Sequence, residues 1–221
     1  MVVLFGQTLK LYNPYVTLRK ICQLFTLRLH PHAYHNGVRY LRSNSEKTPD
    51  LVYIPQVFRW LRTKAKFKYL QKTWDPEFSE GAFIFGSIQA ICKISEIIHT
   101  EDLERLNGLL TETARLKLVS VLNDKLTAVQ KKVIKISPVD IKIMVPTEVN
   151  LKRDGERKTC EICLRSLSLK WFEGKESTKL VLIALQTDFL RDYGQNVTPE
   201  WTVNVFDILE CAVLNESRFP K

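Results

Sequence analysis

Two cysteines at a spacing used in metal and redox sites are the most chemically suggestive pair in this chain. Cys160 and Cys163 form a Cys-x-x-Cys match. The residues around them alternate as in a β-strand, and strand residues three apart point to opposite faces of a sheet. Such a pair could not readily share a metal or close a disulfide. We therefore predict two buried free thiols.

Histidines and carboxylates give no catalytic set either. His99 is the only histidine beyond residue 45, and its place at the end of an apolar helix indicates a structural role. Asp75, Glu77 and Glu80 lie close together, but the electrostatics of a helix start accounts for them without an active site. The sequence has no glycine-rich phosphate loop and no HExxH or GxSxG motif. We expect no enzymatic activity, no metal and no cofactor.

The positive charge of the chain is concentrated at its N-terminus. The 221 residues include 33 Lys and Arg against 24 Asp and Glu, a net charge of +9. Residues 1–45 hold six basic residues and no acid, so the rest carries only +3. An acid-free segment with arginines and hydroxyl groups is typical of a mitochondrial transit peptide, which we predict for residues 1–45. The remaining charge is poor evidence for nucleic-acid binding, and we expect no DNA partner.

Length and hydropathy favour one globular domain with some additional chain. The longest apolar run is Gly81–Cys92, which Lys93 ends. It is shorter than the roughly 18–20 residues that a membrane span requires, so we do not expect a membrane-spanning protein.

A basic segment precedes the predicted domain. Residues 46–73 are predicted to form a linker followed by a basic amphipathic helix with an apolar stripe, made by Phe58, Leu61, Ala65 and Tyr69. Its basic residues are Arg59, Arg62, Lys64, Lys66, Lys68 and Lys72. This composition suits binding to an anionic membrane surface, although Trp60 and Phe67 fall on the opposite side. Two alternatives are a solvated helix whose stripe packs on the domain, and a helix that contacts RNA backbone.

The next part of the chain has helical periodicity. A long, mostly buried helix is predicted over residues 77–98, with Asp75 as its N-cap and apolar positions from Phe78 through Ala82 and Phe85 to Ile98. We predict a second helix capped by Thr100, a third over 111–122 and a short fourth over 124–132.

From Val139 onward the apolar period changes from 3.6 residues to 2, which predicts strands. The Asp154-Gly155 turn signal predicts a hairpin. The apolar phase changes between Cys160–Leu164 and Leu167–Trp171, so we predict a β-bulge inside that strand. Two further strands are predicted at Leu180–Leu185 and Trp201–Ile208. Helices followed by strands indicate an α+β fold, with N-terminal helices packed on a curved antiparallel sheet.

Several short motifs resemble the C-terminal domain of the mitochondrial import-motor tether. They are Asp75–Ala82, Leu103–Leu106 and Val197–Val203. Within that family, the segments Arg59–Tyr69 and Phe189–Gln195 resemble the matrix members that interact with the m-AAA protease. The resemblance spans roughly residues 55–210 and implies a domain over 74–213, followed by a tail over 214–221.

The resemblance implies a fold and a function. The fold would be a helix-backed cone like that of nuclear transport factor two, with an apolar pocket near Phe83 and Trp171. The function would be that of a non-enzymatic, chaperone-like adaptor in the mitochondrial matrix, peripheral to the inner membrane. It would bind newly made or imported proteins and work with the m-AAA protease in maturing inner-membrane proteins, including the essential regulator of the calcium uniporter. The alternative is a mitochondrial large-ribosomal-subunit component of the same fold that contacts rRNA.

Overall fold

The computed structural model describes residues 51, 53–124, 126–173, 178–194 and 200–214. The predicted transit peptide lies outside these residues, as does the tail beyond 214. The helices are α1 (Val57–Thr73), α2 (Glu80–Thr100), α3 (Glu112–Asp124) and α4 (Ala128–Val133), with 3-10 turns at Leu103–Leu106 and Pro138–Asp140. The strands are β1 (Ile141–Asp154), β2 (Arg157–Glu173), β3 (Thr178–Asp192) and β4 (Thr202–Leu214).

The four strands form one antiparallel sheet in the order β1-β2-β3-β4. This confirms the predicted α+β class and the meander. The Asp154-Gly155 hairpin is also confirmed, because β1 ends at Asp154 and β2 begins at Arg157. Gly155 has a φ of 58°, a backbone conformation that favours glycine in such a turn.

The predicted bulge in β2 is wrong. The register of β2 with β3 runs without a shift from Thr159 to Glu173. The shifts lie in the edge strands instead, at Ile141/Ile143 and Pro146/Glu148 of β1 and at two places along β4. The apolar residues of β2 change from one face to the other because the first half of the strand is buried on the helix side and the second half on the far side. Cys160, Ile162 and Leu164 face the helices, whereas Leu167 and Leu169 lie in an apolar cluster on the far face of the sheet.

The long helix α2 begins later than predicted. Ser79, not Asp75, is its N-cap, and the Ser79 hydroxyl accepts a hydrogen bond from the Ala82 amide at 3.4 Å. The buried positions also differ from the predicted stripe, because Ala82 and Phe85 are exposed. The face toward the sheet is formed by Phe83, Ser87, Ile91, Ile94, Ser95, Ile97 and Ile98.

The segment after α2 is shorter than the predicted second helix. Thr100 ends α2 rather than capping a new helix, Glu101 adopts a left-handed conformation with φ of 59°, and only one 3-10 turn follows. The third and fourth predicted helices are confirmed as α3 and α4, the latter with a capping box between Thr127 and Gln130. Val139, predicted to begin the strand pattern, lies in the second 3-10 turn and is exposed.

Candidate binding surface

The basic helix α1 packs on the domain through one narrow face. Thr63, Phe67 and Leu70 are its buried residues, and α1 contacts strand β1. Phe67 stacks on Phe78 with ring centroids 5.5 Å apart, which places α1 against the aromatic part of the core. Phe67 therefore points inward, which explains why the sequence places an aromatic residue opposite the apolar stripe.

The predicted apolar stripe points the other way. Phe58, Leu61, Ala65 and Tyr69, which we call the outer stripe, are all exposed. The exposed fraction is 89% for Phe58, 51% for Leu61 and 52% for Tyr69. At 100° per residue these side chains fall on the side of α1 opposite Thr63, Phe67 and Leu70. The alternative in which the stripe packs on the domain is therefore wrong.

The six predicted basic residues do not all have the same environment. Lys64 Nζ lies 2.6 Å from Glu80 Oε2 at the start of α2, and Lys66 Nζ donates a hydrogen bond to the Val149 carbonyl. These two lysines join α1 to the domain. Within the described part of the chain, Arg59, Arg62, Lys68 and Lys72 form no ion pair. Of these four cations, Arg62, Lys68 and Lys72 lie beside the outer stripe, whereas Arg59 lies about 100° around the helix from Phe58, nearer the buried Leu70.

A buried ion pair fixes the chain immediately after α1. Asp75 is 7% exposed, and its Oδ2 accepts hydrogen bonds from Arg191 Nη1 at 2.8 Å and from Tyr193 Oη at 3.0 Å. The Arg191 guanidinium also lies over the Tyr193 and Trp201 rings, 5.0 and 5.7 Å from their centroids. Burial raises the pKa of the Tyr193 phenol, so this hydroxyl stays a donor at neutral pH. Asp75 thus fixes the α1–α2 junction to the end of β3 and is no part of an acid–base pair.

The two residues proposed for a pocket wall are not brought together. Phe83 is buried between the helices and the sheet, with its ring 4.8 Å from that of Trp201 and 5.5 Å from that of Phe189. Trp171 packs against the apolar cluster on the far face of the sheet. The sheet separates the two side chains, so they do not line one cavity.

Both thiols are free, as predicted, but only Cys160 is buried, so the prediction of two buried thiols is wrong for Cys163. Cys160 is buried on the helix side of the sheet, and burial raises its pKa to about 12. Cys163 is partly exposed, and burial together with the nearby Asp188 carboxylate raises its pKa. Thiols with raised pKa values are poor nucleophiles and poor metal ligands. No group of three or more His, Cys, Asp or Glu side chains among the described residues could hold a metal ion. His99 lies exposed in the last turn of α2.

By length and composition alone, α2 is the one helix within the described ranges that could cross a membrane. Its Ile91, Ile94 and Ile98 are at most 1% exposed, because they pack in the core. The core of the domain thus accounts for the apolar composition of α2.

Sequence patterns did not indicate an acidic surface on the far face of the sheet. Strand register brings together four carboxylates, Glu148, Glu161, Asp188 and Asp207, which we call the acidic face. The same register places Arg165 on this face, in the row of Asp207. Desolvation raises the pKa of Asp188, and the charges of Glu161 and Asp207 raise it further. No single-sequence signal could have grouped residues from four strands.

Comparison with known proteins gives no family for this chain. It matches no family model, and no curated protein is significantly similar to it.

Proposed function

We propose that this protein is a non-enzymatic, chaperone-like adaptor of the mitochondrial matrix, held at the inner membrane by α1. One observation carries the proposal. The outer stripe points away from the sheet, and Arg62, Lys68 and Lys72 beside it form no ion pair with a carboxylate in the part of the chain that the structure describes. An exposed apolar stripe with cationic flanks is the arrangement by which a helix lies in the interface of an anionic bilayer.

The expected strength of this contact follows from the charges. Each basic residue near an anionic surface contributes about 1 kcal/mol, so Arg62, Lys68 and Lys72 together contribute about 3 kcal/mol. Long lysine and arginine side chains can extend toward lipid headgroups while Phe58 and Leu61 enter the boundary with the acyl chains. The contact is peripheral and reversible, and salt weakens it.

The partners we propose follow from the resemblance of the sequence to the import-tether family. They are the m-AAA protease and newly made or imported inner-membrane proteins, including the essential regulator of the calcium uniporter. A helix that keeps the domain at the membrane surface would bring it close to both. We also propose that the fold is the cone seen in nuclear transport factor two. The long strands of the meander, bent by bulges in β1 and β4, and the helices on one face support that assignment.

One observation favours a second candidate, a component of the mitochondrial large ribosomal subunit. Phe58 and Tyr69 are exposed aromatic rings beside Arg62 and Lys68, and such a surface also suits stacking on unpaired bases and contact with RNA phosphates. We rank it second because the chain beyond residue 45 carries a net charge of only +3.

Affinity purification separates the two candidates. The tagged full-length chain is expressed in mitochondria, solubilised in mild detergent and captured at low and at high salt, and its partners are identified by mass spectrometry. The adaptor function predicts m-AAA protease subunits together with small inner-membrane precursors. Stoichiometric large-subunit ribosomal proteins that persist at high salt would favour the second candidate. A chain that is never found in mitochondria would contradict both.

A further inference from the structure

The far face of the sheet carries an apolar cluster that is almost completely buried. Seven residues from all four strands form it, and we call them the far-face cluster: Ile143, Leu167, Leu169, Leu180, Leu182, Ala184 and Ala212. None of them is more than 6% exposed, and Leu167 and Ala184 are fully buried. The helices pack on the other face of the sheet. A sheet face that is open to water leaves its side chains partly exposed, so a further layer must cover this cluster.

The described residues supply only a small part of that layer. Apart from residues of the strands themselves, the described apolar residues that pack against the far-face cluster are Leu51 and Tyr53. Two partly buried side chains are too few for a cluster that spans four strands, about 14 Å at about 4.8 Å per strand. Both directly follow residues 1–50, which lie outside the described part of the chain. The chain that precedes Leu51 is therefore the nearest source of the missing cover.

The other undescribed segments have too few apolar side chains for this role. Residues 174–177 contain none. Apart from proline, residues 195–199 contain one apolar residue, Val197, and residues 215–221 contain one, Phe219. These short segments could not bury seven apolar side chains on a four-stranded sheet.

The N-terminal part of the chain contains a segment with the required pattern. Residues 16–29 carry apolar side chains at helical spacing, which are Leu18, Ile21, Cys22, Phe25 and Leu29. This apolar stripe is about 17 Å long at 1.5 Å per residue, close to the width of the far-face cluster. The 21 residues between Leu29 and Leu51 can extend over about 70 Å, so their length allows the segment to reach the far face.

We propose that residues 16–29 form an amphipathic helix that packs its apolar stripe on the far-face cluster of the same chain. At 100° per residue, Arg19, Lys20 and Arg28 fall on other sides of such a helix and would stay in water. The segment would thus act as a cover for the sheet, in addition to the targeting that its composition predicts. Removal of residues 1–45 as a transit peptide would uncover the cluster and give the mature protein an exposed apolar face. This cover goes beyond the proposed function and does not depend on the membrane contact of α1.

Cross-linking within the full chain tests the contact. Cys22 lies in the segment, and Val145, a partly exposed residue that packs against the far-face cluster, is replaced by cysteine. After treatment with a short, flexible bis-maleimide, mass spectrometry should detect an intramolecular link between Cys22 and the cysteine of Val145→Cys. The matched control, Leu116→Cys, places a cysteine on α3, on the helix side of the sheet, where Leu116 is 58% exposed. It should give no link to Cys22.

A second measurement follows the protection of the far-face cluster. In an Ala184→Cys background, the new thiol is labelled with a maleimide dye, and its peptide is quantified by mass spectrometry. Adding Ile21→Gln with Phe25→Gln should speed this labelling at least about tenfold, because two apolar contacts of the segment are lost. The control is Leu9→Gln with Leu11→Gln, which removes two apolar side chains from the N-terminal region outside the segment and should leave the rate unchanged.

Three outcomes would overturn the proposal. The first is the absence of the Cys22 link in Val145→Cys, or an equal yield of the link in Leu116→Cys. The second is an equal labelling rate in the Ala184→Cys background with and without the changes at Ile21 and Phe25. The third is a link between two chains, or protection that is lost on dilution, since either would show that a second copy covers the far-face cluster.

Discussion

The outer stripe of α1 and the acidic face of the sheet are two partly apolar surfaces of opposite charge. The outer stripe lies on a single helix and is exposed, and Arg62, Lys68 and Lys72 beside it form no ion pair within the described ranges of the chain. The acidic face is assembled from four strands, and Asp188 within it is nearly buried. A solvated cation on a long side chain hardly changes the stability of the folded state. A largely buried carboxylate beside other carboxylates lowers that stability.

This difference in charge would orient the domain at an anionic lipid surface. An anionic lipid surface would attract α1 and repel the acidic face, so the electrostatic field of the domain favours one orientation at the membrane. Four changes in the sequence test this comparison, and they follow in order of expected effect.

The largest effect is expected from Asp75→Asn, because Asp75 fixes the end of α1 to β3. The substitution leaves the Arg191 guanidinium, whose side chain is 20% exposed, without its carboxylate partner. We expect a loss of about 3 kcal/mol in the free energy of unfolding, as is typical for breaking a buried ion pair from one side. Urea denaturation of the full chain measures it. Glu77→Gln, an exposed neighbour, is the control, and an equal stability of the two variants would disprove the role of Asp75.

The second effect concerns the cations beside the outer stripe. Lys68→Gln with Lys72→Gln should weaken binding to cardiolipin-containing vesicles by about 30-fold at low salt, at about 1 kcal/mol per residue. The difference from the wild type should shrink in high salt. The control is Lys132→Gln with Lys142→Gln, which removes two exposed lysines elsewhere. If the control loses as much binding, net charge rather than the α1 surface would be responsible.

The third prediction concerns how much the acidic face lowers the free energy of unfolding. The pKa of Asp188 is raised in the folded state by burial, Glu161 and Asp207, so the folded protein binds this proton more tightly than the unfolded chain does. The ionised Asp188 carboxylate destabilises the folded state fully at pH values above its folded-state pKa. This destabilisation is relieved as the pH falls through that pKa. Asp188→Asn should therefore raise the free energy of unfolding at pH 8 by about 1 kcal/mol, and the gain should shrink as the pH falls through the raised pKa of Asp188. Thermal unfolding of the two proteins over a series of pH values from 8 downward measures this change.

The smallest effect is expected at the Lys64–Glu80 pair, whose side chains are 43% and 31% exposed. Glu80→Gln should cost about 0.5 kcal/mol or less, as is usual for a partly solvated ion pair. It should also strengthen vesicle binding about twofold, because Lys64 then adds its charge to those of Arg62, Lys68 and Lys72. Unchanged or weaker vesicle binding would show that Lys64 does not face the lipid.

Much of the fold could be predicted from sequence because it depends on local patterns. Helical periodicity located α1, α3 and α4, and the change of period located the sheet. The face that α1 turns to the core could not be predicted, since both of its faces contain aromatic residues. Which face of α1 packs on the core depends on the contact of Phe67 with Phe78. The spacing of apolar residues within one helix does not show which residues of another segment it will contact.

The features that were missed depend on long-range contacts. Asp75 and Arg191 are 116 positions apart, so the carboxylate could only be interpreted as a helix cap. The four carboxylates of the acidic face become neighbours through a register that shifts in both β1 and β4. The change of apolar face along β2 was misinterpreted as a β-bulge for a related reason. Whether residues on the far face of the sheet are buried depends on other segments of the chain that pack there.

The central claim is that the outward face of α1 meets the membrane, and flotation of the full chain with cardiolipin-containing vesicles tests it most directly. The variant Phe58→Ser with Leu61→Ser removes two apolar side chains of the outer stripe that are 89% and 51% exposed. Its matched control, Leu116→Ser with Val129→Ser, removes two other apolar side chains that are 58% and 60% exposed. We predict that the control floats with the vesicles as the wild type does while the stripe variant stays at the bottom. Equal flotation of both variants would contradict the account.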